Sequence, residues 1–244
     1  MSKNSRARAE DRAARAQAAR EAQKAAERRR TIRSVTLVVV AMVLIVGAAF
    51  LFVRATDGST DVTATPAGSS EFGVTMGDPD APVDVIVYED FLCPFCGDLE
   101  SASREPFEEL AADGEVLVEY RPFNLLERIS DYSPRAVNAF AVVLTESGPE
   151  VAKTFHDLLF ENQPSESGPF PDNQALLDLA VEAGAEESEV SEGILEETMR
   201  DWVDAATQAA QEAGVQGTPT VLVDGQVVQG SPEEIIQAVR DAVA

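Results

Sequence analysis

The chain has 244 residues, 19 Lys or Arg against 43 Asp or Glu, a net charge of −24, two cysteines and one histidine. Outside a short N-terminal arm that balance offers no basic surface to a polyanion, so no nucleic-acid partner is expected. Two cysteines and one histidine fall short of the four ligands of a structural zinc site, so no metal is expected, and beyond Cys93 and Cys96 no cysteine remains for a second disulfide.

Charge divides the chain. Residues 1–33 form a basic arm with 11 Lys or Arg against 4 Asp or Glu, whereas residues 34–244 carry 8 against 39. Residues 34–53 are an uncharged, apolar-rich run of twenty, long enough as a helix to span a hydrocarbon core. Arg28, Arg29, Arg30 and Arg33 precede this run and only Arg54 follows it. The positive-inside bias therefore predicts a single-pass protein of the cell membrane, with its N-terminus cytoplasmic and its body extracytoplasmic, where disulfides persist. The run exceeds the hydrophobic segment of an ordinary signal peptide, which favours an uncleaved signal anchor; Ala48, Ala49 and Ala55 leave cleavage open. Residues 54–70 are small, polar and aperiodic, the composition of a flexible linker.

Residues 71–244 suffice for one domain with its own core. Residues 83–88 read as a buried strand, 94–111 as a helix that Pro106 should kink or divide, and 116–120 as a second strand. Residues 132–213 are helical in pattern, in stretches beginning near Pro134, Glu150, Asn173 and Val190, the last running unbroken to Gly214. Within them His156 reads as a helix-surface residue and Trp202 as part of the core. A strand at 220–223, an Asp224-Gly225 turn, a strand at 226–229 and a helix at 232–242 complete the chain.

Cys93-Pro94-Phe95-Cys96 lies at the first strand-to-helix junction. If Cys93 caps the helix, with Pro94 in its first position, the unpaired N–H groups and the positive end of the dipole face the sulfur and favour its thiolate. Cys93 is then the nucleophile and Cys96, one turn further in, the resolving thiol. A static disulfide closing so small a loop would remove little chain entropy, which favours a redox role over a structural one.

The element order, the CPFC motif after the first central strand, and Gly217-Thr218-Pro219-Thr220 before the hairpin together resemble the thioredoxin fold. More narrowly, GDPDAPVDVIVYEDFLCPFC at 77–96, VQGTPTVLVDGQVVQG at 215–230 and the helical insert resemble its DsbA-like branch. The resemblance implies an α/β thioredoxin fold with an inserted helical domain at about 132–213, preceded by the transmembrane helix. It implies a cis bond before Pro219, with Thr218 offering its backbone to a substrate strand beside the catalytic Cys93 and Cys96, and Pro94 and Phe95 as their neighbours. It further implies no cofactor beyond the Cys93-Cys96 disulfide, reduced secreted proteins as clients, and a membrane oxidase of the DsbB or VKOR type as electron acceptor. Two positions depart from the branch: Val87 stands where a buried acid is common, and Phe95 where strong oxidants have His. Phe91, Leu92 and Phe95 are a candidate apolar collar for unfolded chains, with Phe91 equally readable as plain core. The expected activity is that of a membrane-anchored, extracytoplasmic thiol:disulfide oxidoreductase forming disulfides in translocated proteins. The alternatives are a reductase or isomerase using the same site, and a non-catalytic peptide-binding chaperone or adaptor.

Overall fold

A computed structural model describes residues 62–244; the basic arm, the apolar run at 34–53 and linker residues 54–61 lie outside the described residues. Among the described residues no helix is long and apolar enough to cross a membrane. Five strands, β1 (Val74–Gly77), β2 (Val83–Glu89), β3 (Val116–Pro122), β4 (Thr220–Val223) and β5 (Gln226–Val228), form one sheet in the order β1-β3-β2-β4-β5. Only β2 and β3 run parallel, and helix α1 (Pro94–Ala112) makes the crossover between them. Along β2, Val85 and Val87 face one core with Leu99, Phe107 and Phe155, while Ile86 and Tyr88 face a second with Phe123, Val215 and Leu222. Burial on both faces is why this strand reads as a continuous apolar run rather than an alternating one.

Helix α1 does not divide at Pro106. Leu99, Ser103, Phe107 and Ala111 are buried at four-residue intervals on both sides of the proline, and packing of that stripe carries the helix through it. The insert contains α2 (Tyr132–Ser147), α3 (Pro149–Glu161), α4 (Asn173–Glu182), α5 (Glu187–Leu195) and α6 (Arg200–Glu212). The unbroken helix expected from Val190 to Gly214 is thus two. The break is made by Asn138 of α2, whose amide donates to Gly193 O at 3.1 Å and accepts from Met199 N at 2.8 Å, while Glu197 turns at φ 54°. The hairpin follows expectation: Asp224 (φ 47°) and Gly225 (φ 76°) both take the left-handed conformation of a tight two-residue turn, and α7 (Pro232–Ala242) closes the fold.

Two features escaped the sequence reading. The four-residue edge strand β1 pairs antiparallel with β3. Residues 62–70, given to the flexible linker on composition, are docked instead. Val62 is buried in the second core, Thr63 N donates to Ala213 O at 2.8 Å, and Gly68 N donates to Glu119 Oε2 at 2.9 Å. Arg121 Nη2 donates to Thr65 O and Pro66 O at 3.0 and 3.1 Å. Glu119 and Arg121 are themselves a buried pair at 2.6 Å, so a polar segment is held by partners that lie far along the chain.

Candidate active site

Strand β2 ends in Glu89, and Asp90 then shapes the turn that presents the dithiol. Buried Asp90 accepts hydrogen bonds from Leu92 N (2.8 Å), Leu125 N (2.8 Å), Leu126 N (2.9 Å) and Ser133 Oγ (2.6 Å), and its carbonyl accepts from Cys93 N at 2.9 Å. Burial raises the pKa of Asp90, and these donors oppose the rise. Phe91 and Leu92 are driven into the core, so of the three collar residues only Phe95, 68% exposed, reaches the surface.

Cys93 is the N-cap of α1 in an extended conformation (φ −70°, ψ 117°), with Pro94 starting the helix. Its thiol pKa falls to about 6. Chiefly the Cys96 thiol donates to it; burial opposes the shift, and the Thr218 side chain and the N–H groups of Cys96 and Phe95 add to it. Sγ closes no full capping bond on the first turn while it is a thiol, so these amides act as charge develops. Cys96 is pushed the other way, well above an ordinary thiol, by burial and then by the negative charges of Cys93 and Glu89. From 125 residues away, Thr218 O accepts from Cys93 Sγ at 3.3 Å, and the Thr218-Pro219 peptide is cis. Thr218 Oγ1 is buried and makes no full hydrogen bond while Cys93 is a thiol, so it too turns to the sulfur as charge develops. The fold thus brings Cys93, Cys96, Pro94, Phe95, Thr218 and Pro219 to one place. Beside them runs a 530 Å³ groove lined by Phe95, Leu99, Pro219, Val228 and Ile235, bordered by the edge strand β5.

His156 is not on the helix surface. It is wholly buried beneath the site, with Nε2 2.6 Å from Glu89 Oε1 and Nδ1 2.9 Å from Asp157 Oδ1. Burial works against its charge, but Glu89 and Asp157 outweigh it and raise its pKa to about 9, so both ring nitrogens donate. The signal was in the sequence: Ala152, Phe155, His156, Leu159 and Phe160 fall at helical spacing and form the buried face of α3. Glu89, whose pKa burial raises, is the acid that lies near Cys96, whereas Val87 is plain core. Glu100, His156 and Asp157 place one ligand atom each within 4.8 Å of one another. Arg104 Nε holds Glu100 at 3.1 Å, Lys153 holds Asp157, and both nitrogens of His156 are taken, so this is a closed ion-pair network rather than an open metal site. Gln163, just after α3, was also missed; its amide Nε2 bonds Phe91 O and Cys93 O.

The sequence profile of the thioredoxin family matches residues 69–241. The fold is similar to the crystal structure of reduced DsbA from Mycobacterium tuberculosis, at 30% identity and a TM-score of 0.60, over 71% of this chain and 93% of that one. It is similar also to the reduced disulfide bond oxidoreductase DsbG of the same organism, at 31% identity and a TM-score of 0.59, over 75% and 86% of the two chains. Over 165 residues the sequence is 29% identical to the serine/threonine-protein kinase PknE of Mycobacterium tuberculosis. That match takes in 64% of this chain and only 29% of the kinase.

Proposed function

The chain belongs to the thioredoxin family, in its DsbA-like branch of thiol-disulfide oxidoreductases, and from that premise we propose that it forms disulfides in reduced proteins delivered across the membrane that anchors it. The observation that carries this reading is the opposed character of the two sulfurs, Cys93 lowered to about 6 and Cys96 raised by burial. A client thiolate attacks Cys93 Sγ of the Cys93-Cys96 disulfide. The sulfur–sulfur bond breaks, its electron pair leaves on Cys96, and the high pKa of Cys96 makes it take up a proton. A second client thiolate then attacks the client sulfur of the mixed disulfide, and Cys93 departs as a stabilised thiolate. Two electrons pass from the client to the chain. One proton rests on Cys96 and the other, at neutral pH, stays in water. Thr218 and Pro219 would line an extended client against the site, with its apolar side chains over Phe95 and along the groove.

A stabilised thiolate is a good leaving group and makes the reduced form the favoured product, which supports the oxidase direction over the reductase one. The dithiol then needs an acceptor, and a membrane oxidase of the DsbB or VKOR type suits a protein tethered beside it. Equilibration with glutathione buffers tests the direction: a potential near thioredoxin's, about −270 mV, would refute the oxidase role. Anchoring rests on the arginines flanking residues 34–53. Protease added to intact spheroplasts should digest the body and spare the arm; a protected body would refute the topology.

A further inference from the structure

We propose that Gln163 is a positioning residue for the dithiol: its side-chain amide, supplied by the helical insert, holds the turn that aims the first-turn N–H groups of α1 at Cys93. The proposal rests on the reading of Cys93 as the nucleophile.

Gln163 stands two residues beyond the end of α3, with its backbone N–H bonded to Phe160 O at 3.2 Å. Its Nε2 donates to Phe91 O at 3.1 Å and to Cys93 O at 2.9 Å, so both amide hydrogens are spent on the carbonyls flanking Leu92. Two carbonyl oxygens on one side fix which end of the amide faces them, since the amide oxygen there would meet only other oxygens. Cys93 O also accepts from Cys96 N at 3.0 Å and Gly97 N at 3.2 Å. The carbonyl that Gln163 grips is therefore the one around which the first turn of α1 is built. Rotation of that peptide would swing the amides of Phe95 and Cys96 away from the sulfur whose negative charge they favour. The seat is tight: a Cβ on Gly97 would collide with the Gln163 amide, so glycine there leaves room for the clamp. The helical insert thus reaches the reacting sulfur through a hydrogen bond to the backbone, in addition to packing beneath it.

The test follows alkylation of Cys93 against pH in the reduced full-length chain, for the parent and for Gln163→Met, Gln163→Lys and Gly97→Ala. Met keeps the reach and bulk of Gln but has no N–H, and Lys keeps the reach and restores donors. Gln163→Met removes both hydrogen bonds, and loss of the one to Cys93 O predicts a rise of about half a unit in the Cys93 midpoint, or about threefold less thiolate at pH 5. Its equilibrium with glutathione should shift toward the disulfide. Gln163→Lys should return the midpoint to the parent's or below, and Gly97→Ala should move it as Met does while adding nothing to Gln163→Met. If Gln163→Met fails to fold, Gly97→Ala must still raise the midpoint. Met and Lys variants that behave alike, or a folded variant lacking the amide that keeps the parent's midpoint, would reduce Gln163 to packing and overturn the proposal. A parent whose Cys93 titrates like a free thiol would instead overturn the nucleophile assignment itself.

Discussion

The pKa of Cys93 predicts a stability difference between the two redox forms that grows with pH. The reduced folded chain holds Cys93 at about 6, against about 8.5 for a thiol in the unfolded chain. A depressed pKa contributes stability that is fully present above the unfolded value and is lost as pH falls through the folded one. Integrated between these two values, the contribution is about 2.6 kcal/mol at pH 8, about 1.4 kcal/mol at pH 7 and about 0.1 kcal/mol at pH 5. The disulfide form has no Cys93 thiol to ionise, so taking reduced minus oxidised cancels the shared groups that the thiols do not act on. Cys96, raised in the folded chain, opposes the trend only above about pH 8. Denaturant midpoints of both forms from pH 5 to 8 measure the gap directly, and about 1.4 kcal/mol at pH 7 corresponds to roughly 30 mV of added oxidising power. A gap that stays flat over this range would refute the stabilised thiolate, and with it the chemical basis of the oxidase reading.

Replacing His156 with Gln leaves Glu89 buried without its cation and should cost about 3–5 kcal/mol by urea unfolding; a loss under about 1 kcal/mol would deny the buried pair. Because the pKa of His156 is raised to about 9 in the folded chain, its contribution is complete below about 6.5 and lost as pH climbs through 9. The disulfide form, which has no thiol to titrate, should therefore weaken between pH 7 and 10 by an amount that His156→Gln removes; an unchanged alkaline decline in the variant would contradict this. Phe95→Ala, at an exposed position, should leave stability within about 0.5 kcal/mol while raising KM for an unfolded reduced protein and sparing exchange with glutathione. Unaltered client kinetics would remove Phe95 from the binding surface. Asp90→Ala strips four donors of their acceptor and should unfold the chain at markedly lower urea, with Cys93 losing its acid-shifted reactivity in whatever remains folded; a variant as stable as the parent would remove Asp90 as the organiser of the turn.

Where one stretch of sequence holds its own instructions, the sequence was readable. The valine run of β2, the Asp224-Gly225 turn and the Cys93-Pro94 helix start each rest on residues within a few positions of one another. His156 belonged to this readable class, since the rhythm of α3 places it with Phe155 and Leu159, but its polar side chain suggested the surface. What stayed hidden depends on distant partners. The break before α6 is made by Asn138, sixty-one residues before Met199. The grip on Cys93 O comes from Gln163, seventy residues on. Glu196 and Glu197 carry no break signal of their own, and neither does the polar segment at 62–70 betray a docking site, because Arg121 and Glu119 supply the geometry in both hydrogen bonding and charge.

Because residues 62–70 are fastened to the sheet, they also decide where tension enters the domain. A pull on the chain at Val62 is met first by the Thr63 bond to Ala213 and by the Arg121 grip on Thr65 and Pro66, and so passes into α6 and β3. Strand β2, which carries the dithiol, is bonded on both edges and takes up part of the load directly, through the Ala67 N bond to Asp84 Oδ2 at 3.2 Å near its start. A pull at Val62 is thus shared among α6, β3 and the start of β2, while Val62 itself lines the groove beside Thr218 and Pro219.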